Sequence, residues 1–297
     1  MKIVYFGTAE FAVPALDALL KAGHNVPFVV TQPDRPRGRG NKMQPTPVGL
    51  YAEEKGLKLL KPERLSGDEE FMAELTEARP DLIVVTAYGK VLPKQLLLLP
   101  PLGCVNIHAS LLPEYRGAAP VQRAILDGKD ETGVTLMYMA EGLDTGDIIA
   151  CAKVQIGGMN AGELTDALAR VGAELLVGTI PTIEAGAAPR LPQEDSKATY
   201  AEKVEKAEGH IDLSGSAEEA VRLVRAMTPA PGAYVLQGAD RIVITKARAA
   251  SPENGGINIR MGEGVLVVEE LKVPGKKAMA VAEYLKGNVF DTEVPLS

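Results

Sequence analysis

Asp81-Leu82-Ile83-Val84-Val85-Thr86-Ala87 is an apolar run without polar alternation, rich in β-branched side chains and too short for an ordinary helix. A strand of this kind needs cover on both faces, as strands of a parallel sheet have. Moving outward, residues 2–6, 26–31 and 102–108 repeat the pattern. Between them lie segments with helical spacing: residues 11–21, stopped by Gly23; residues 48–55, stopped by Gly56; and residues 68–78, followed by Pro80. This alternation predicts an α/β fold with a Rossmann-like, doubly wound, mostly parallel sheet. Ligands of such sheets bind beyond the carboxyl ends of the strands. Residues 134–140 and 147–155 read as two further strands, and residues 161–183 as a long helix.

The pattern changes after Ala185-Gly186-Ala187-Ala188-Pro189. Small and polar residues follow, so we read 1–185 as one domain, 186–206 as a linker and 207–297 as a second domain. Ser216-Ala217-Glu218-Glu219 fits a capping box at the start of a helix ending near Met227. Beyond Pro229 and Pro231, residues 233–237, 241–246, 257–260 and 265–273 are short β-prone segments parted by glycine or proline. They predict a small OB-like β-barrel.

Hydrophobic residues make up 46% and charged residues 24% of the 297-residue chain, which argues for a packed core and against disorder. The net charge of -7 is the wrong sign for a general nucleic-acid coat, so any such contact needs a local basic patch. No signal-peptide pattern and no apolar run of about 20 residues occurs, which predicts a cytoplasmic protein without a membrane partner. Cys104 and Cys151 sit in apolar stretches without paired spacing and read as buried, reduced thiols. Gly7 stands alone after the first strand. Without the closely spaced glycines that let backbone approach a pyrophosphate, a dinucleotide site is disfavoured.

The chemistry concentrates after the strand at 102–108. Asn106 and His108 are two residues apart and so share a face. An amide and an imidazole at a strand end suit oxyanion stabilisation and proton transfer. Gly142-Leu143-Asp144-Thr145-Gly146 is a glycine-bracketed turn that carries one carboxylate. Taken singly, a strand-end histidine or an Asp–Gly turn reads more plainly as structure. No cluster with metal-ligand spacing is visible.

Taken together the two features are specific. Asn106 through Pro120, with Asn106-Ile107-His108, Ser110-Leu111-Leu112-Pro113 and Arg116-Gly117, resembles the signature of folate-dependent formyltransferases. The stretch from Gly142 to Asp147 resembles the matching turn of that family. The resemblance implies 10-formyltetrahydrofolate as co-substrate, no metal, and a catalytic set of Asn106, His108 and Asp144. It further implies folate contacts from Val85, Thr86, Ala87 and Tyr88, from Ser110, Leu111, Leu112 and Pro113, and from Glu141. For each of these the plainer reading is packing within a strand or loop.

Family members differ in the amine they formylate. Gln32-Pro33-Asp34-Arg35-Pro36-Arg37-Gly38-Arg39-Gly40-Asn41-Lys42 reads as an exposed loop and is the most basic segment of the chain. Arg35, Arg37, Arg39 and Lys42 supply the local charge that phosphate neutralisation needs. The resemblance makes this an RNA-contacting loop led by Arg39. Pro274-Gly275-Lys276-Lys277 resembles a second RNA-facing segment, with Lys276 and Lys277 as contacts. Ala230 stands where relatives often carry an aromatic residue, which removes a stacking platform. Phe11 is the candidate for the aminoacyl pocket. The expected acceptor is thus initiator methionyl-tRNA, bound by a monomer. A nucleotide-linked amino sugar as acceptor, or a catalytically silent tRNA-binding protein, stays open at this point.

Overall fold

The computed structural model describes residues 1–37, 42–252 and 256–290, with Arg37 described by its backbone alone. The apolar runs of the first two-thirds join into a seven-stranded sheet. Its strands are β1 (Ile3–Gly7), β2 (Val29–Val30), β3 (Leu59–Leu60), β4 (Leu82–Thr86), β5 (Cys104–His108), β6 (Glu131–Tyr138) and β7 (Ile148–Gln155). They are ordered β7-β6-β5-β4-β1-β2-β3. The strands from β3 to β5 run parallel, and β6 joins β5 antiparallel. The strand order reverses between β1 and β4, which opens a crevice at their carboxyl ends.

Continuous hydrophobicity has the cause read from the sequence: both faces of the sheet are covered. On one face Val4, Phe6, Ile83, Val85 and Cys104 pack with Phe71 and Leu75. Those two belong to the helix α3 (Glu69–Ala78), after α1 (Val13–Lys21) and α2 (Pro47–Glu54). The Asp68 side chain caps α3 by accepting the Phe71 N–H at 3.0 Å. On the other face lies a 24-residue helix, Ala161–Glu184. Its Gly172 brings the helix so close that a Cβ there would sit 2.8 Å from a methyl of Ile107. No helix among the described residues is long and apolar enough to cross a membrane.

The chain divides into two compact units, one of Met1–Gly117, Thr132–Gln155 and Thr165–Tyr200, the other of Ala118–Glu131, Ile156–Leu164 and Ala201–Ser297. In the second unit, β8 (Ala233–Gln237), β9 (Asp240–Ala249), β10 (Ile257–Arg260), β11 (Val265–Lys272) and β12 (Met279–Ala280) form an antiparallel sheet. Its order is β8-β9-β11-β10, with β12 on β11. Val224 and Met227 of the helix Ala217–Met227 pack with Ile242, Ile244 and Leu266 of the sheet. The Ser216–Glu219 capping box forms as read. The described residues establish this sheet, not the closed OB-like barrel that the strand spacing led us to expect.

Two readings need correction. The basic segment is not a plain loop: Arg35–Arg37 and Lys42–Gln44 pair as an antiparallel hairpin. The Pro and Gly content hid it, because neither flank shows apolar alternation. Cys151 is exposed rather than buried. It lies on β7, at the sheet edge, where burial alternates along the strand.

Candidate active site

His108 is the last residue of β5 and only 7% exposed, whereas Asn106 is half-buried on the same face. A buried imidazole needs partners, and each ring nitrogen faces one. Nε2 is 2.9 Å from the carbonyl oxygen of Tyr115. Nδ1 is 3.6 Å from Oδ2 of Asp144. A carbonyl only accepts, so Nε2 carries a proton in this contact. The Nδ1 edge, beside the carboxylate, is left for chemistry.

Asp144 occupies the left-handed region at φ +52, which asparagine and aspartate tolerate best among non-glycine residues. Its Oδ2 accepts the backbone N–H of Gly117 at 2.9 Å. The turn is packed against β6: a Cβ on Gly146 would lie 1.7 Å from the Tyr138 carbonyl oxygen. Glycine is therefore required there, which explains one bracket of the motif. The Ser110–Pro113 segment is built around Thr135 of β6, a fully buried residue. The Thr135 hydroxyl donates to the Ser110 carbonyl at 2.7 Å and accepts the Leu112 N–H at 3.0 Å. Ser110 in turn donates to the Glu114 carbonyl at 2.6 Å.

Thr135 did not stand out in the sequence, where it is one residue of an apolar run. Gln193 was missed as well, since it lies in the stretch read as a linker. Its Nε2 donates to the carbonyls of Asp144 and Gly146, both at 2.8 Å.

The candidate folate residues fall into two groups. Val85, Thr86, Tyr88, Ser110 and Leu112 are buried, so their side chains act first as packing. Ala87 is exposed at φ +44, Leu111 and Pro113 are half-buried, and Glu141 is exposed with its carboxylate 2.8 Å from Lys94 Nζ. Tyr88 packs edge-on against Phe6 at 5.2 Å, and burial pushes its phenol up to about 12. Its hydroxyl has no hydrogen-bond partner among the described residues. No group of three or more His, Cys, Asp or Glu among the described residues is arranged to hold a metal ion.

Comparison with known proteins places this chain in a family. The formyl transferase family pattern matches residues 1–180, and the formyl transferase C-terminal domain pattern matches residues 203–289. The chain is a member of the formyl transferase family. It is 45% identical to methionyl-tRNA formyltransferase of Moorella thermoacetica, over 97% of this chain and 96% of that one. It is 41% identical to the protein of the same name from Clostridioides difficile, with both chains fully covered. Among solved structures, methionyl-tRNA formyltransferase from Clostridium thermocellum shares the fold, with a TM-score of 0.57 at 17% identity over 92% of this chain and 98% of that one. HypX from Aquifex aeolicus, solved with tetrahydrofolic acid, aligns with a TM-score of 0.66 at 17% identity, over 96% of this chain and 47% of HypX. The chain thus spans about half of HypX.

In this formyl transferase the remaining candidate residues stand apart from His108 in sequence. Arg35 and Lys42 are exposed on the hairpin. Arg39 lies outside the described residues, and Arg37 is described by its backbone alone. Lys276 and Lys277 are exposed in the turn after β11. Phe11, in a single 3-10 turn after β1, is half-buried.

Proposed function

We propose that this formyl transferase moves the formyl group of 10-formyltetrahydrofolate onto the free α-amino group of initiator methionyl-tRNA, giving N-formylmethionyl-tRNA for translation initiation. The observation that carries the reading is His108, held between the Tyr115 carbonyl and the Asp144 carboxylate, in a chain alignable end to end with methionyl-tRNA formyltransferases.

The folate supplies an activated one-carbon group. One feature of the end of β4 fits such a ligand: Ala87 is exposed there, at a positive φ. We assign folate contact to Val85, Thr86, Ala87 and Tyr88, to Ser110, Leu111, Leu112 and Pro113, and to Glu141. Asn106 donates a hydrogen bond to the formyl oxygen as charge develops there, an interaction typically worth about 10²–10³ in rate. His108, with its Nε2 proton held by Tyr115, contributes positive charge when Nδ1 is also protonated. Asp144 balances that charge and takes up the proton that the attacking amine loses. The same proton then passes to the departing folate nitrogen, so no net proton is gained or lost.

We assign catalysis to residues 1–185, linkage to 186–206 and RNA binding to 207–297. Arg35, Arg37, Arg39 and Lys42 of the basic segment and Lys276 and Lys277 neutralise phosphates, and Phe11 faces the aminoacyl side chain. The protein acts as a cytoplasmic monomer. An acceptor assay with radiolabelled formyl folate tests the reading. Methionyl-tRNA is formylated, while uncharged tRNA and amino-sugar nucleotides are not. Label on the sugar nucleotide in preference to the RNA overturns it.

A further inference from the structure

The two oxygens that flank His108 both hang on strained backbone. Tyr115 has φ +60 and Asp144 φ +52. Left-handed conformations of non-glycine residues are unfavourable, more so for tyrosine than for aspartate, and persist where neighbours hold them. The holding groups come from one short stretch, residues 193–199. The Thr199 hydroxyl accepts the Tyr115 N–H at 2.8 Å. The Gln193 carboxamide donates to the carbonyls of Asp144 and Gly146.

Gln193 is itself fixed. Its Oε1 accepts Nε–H and Nη2–H of Arg116, at 3.0 and 2.8 Å. Arg116 is 2% exposed, and Nη2 also donates to Asp195 Oδ1 at 2.8 Å. A guanidinium only donates and a carbonyl only accepts, so the carboxamide has one orientation that satisfies both sides. Its oxygen faces Arg116, and its NH₂ group faces the turn. Both N–H bonds and the amide oxygen are used.

We propose that Gln193, locked by Arg116, is a positioning residue for the reaction. It holds the 144–146 turn so that the Asp144 carboxylate faces Nδ1 of His108. This inference rests on the reading of His108 and Asp144 as catalytic. It also gives the stretch between the two matched family regions a part in the chemistry. The signal was invisible locally, because Gln193 meets Asp144 across 49 positions of sequence.

Gln193→Glu is the discriminating variant. Glutamate keeps length and volume and pairs with Arg116 at least as well, but it has no N–H for the two carbonyls. A residue that only fills space or neutralises Arg116 tolerates the change. A positioning residue does not. We expect kcat to fall about ten- to a hundredfold, the loss typical of a small misplacement of a reacting group. KM for methionyl-tRNA and for folate should stay within about twofold, while the melting temperature falls because the two carbonyls lose their donor.

A readout independent of turnover follows from composition. The chain has three histidines, so the His108 imidazole signal is assignable by its loss in His108→Ala. Gln193→Glu should move that signal in the same direction as Asp144→Asn. Gln193→Ala serves as a second variant, with the same expected shift. An unmoved imidazole signal together with kcat within twofold overturns the inference. If Asp144→Asn keeps full turnover, the catalytic reading falls instead. A moved signal in Gln193→Glu would then still show positioning without catalysis.

Discussion

The Nδ1 atom of His108 lies 3.6 Å from Oδ2 of Asp144, beyond a direct hydrogen bond yet close enough for a strong charge interaction, while Nε2 is held at 2.9 Å by the Tyr115 carbonyl. The imidazole is therefore pinned on one edge and open on the other. Its buried position limits water, and in such surroundings a nearby charge counts for more than it does in bulk solvent.

The turn that presents Asp144 depends on glycine at position 146. A methyl group there must displace either the Tyr138 carbonyl or the turn itself. Gly146→Ala should cost about 1–3 kcal/mol of stability through this overpacking. It should also lower formyl transfer by displacing the carboxylate. Urea unfolding monitored by circular dichroism reads the first effect. An unchanged midpoint would show that the turn adapts freely.

The two cysteines should separate by reactivity. Burial pushes the Cys104 thiol up to about 12, because a thiolate is disfavoured away from water. Only above that pH does the nucleophilic form dominate, so Cys104 resists alkylation near neutral pH in the folded protein. Cys151 is exposed. Brief iodoacetamide treatment at pH 8 followed by peptide mass spectrometry should find Cys151 modified and Cys104 intact, with both modified in denaturant. Early modification of Cys104 would mean that its strand opens.

The basic hairpin gives a salt-dependent signature. If Arg35 and Lys42 neutralise phosphates, each alanine replacement should weaken tRNA binding and flatten the slope of log affinity against log salt by about one. Single-turnover formylation at saturating RNA should be unaffected. Filter binding across a salt series checks this, and an unchanged slope would remove these residues from the RNA contact.

Much of this architecture was legible in the sequence, for reasons that can be named. Leu82 to Val85 lack polar alternation because α3 and the helix 161–184 cover the two faces of the sheet, so periodicity announced the parallel sheet. Ser216 and Glu219 announced a helix start because capping is chemistry local to one turn. Asn106 and His108 shared a face because strand pleating fixes it. What stayed hidden was set by distance in sequence. The grip of Gln193 on Asp144 and the Thr135 bonds to Ser110 and Leu112 join residues far apart in the chain, and no local pattern encodes them. The exposure of Cys151 followed from β7 standing at the sheet edge, a property of strand order rather than of its own residues. The paired strands 35–37 and 42–44 lacked alternation because Pro36 and the cations Arg35, Arg37 and Lys42 occupy them.

The central claim is that the His108–Asp144 pair drives transfer of the formyl group. Single-turnover formylation of methionyl-tRNA by Asp144→Asn and His108→Ala, each with RNA and folate saturating, tests it most directly. Asp144→Asn removes the charge at nearly constant shape and His108→Ala removes the imidazole, so the rate of the chemical step should fall about 10²–10⁴-fold. RNA affinity should stay near that of the unsubstituted enzyme. A chemical step within about threefold of normal in either variant would contradict the account.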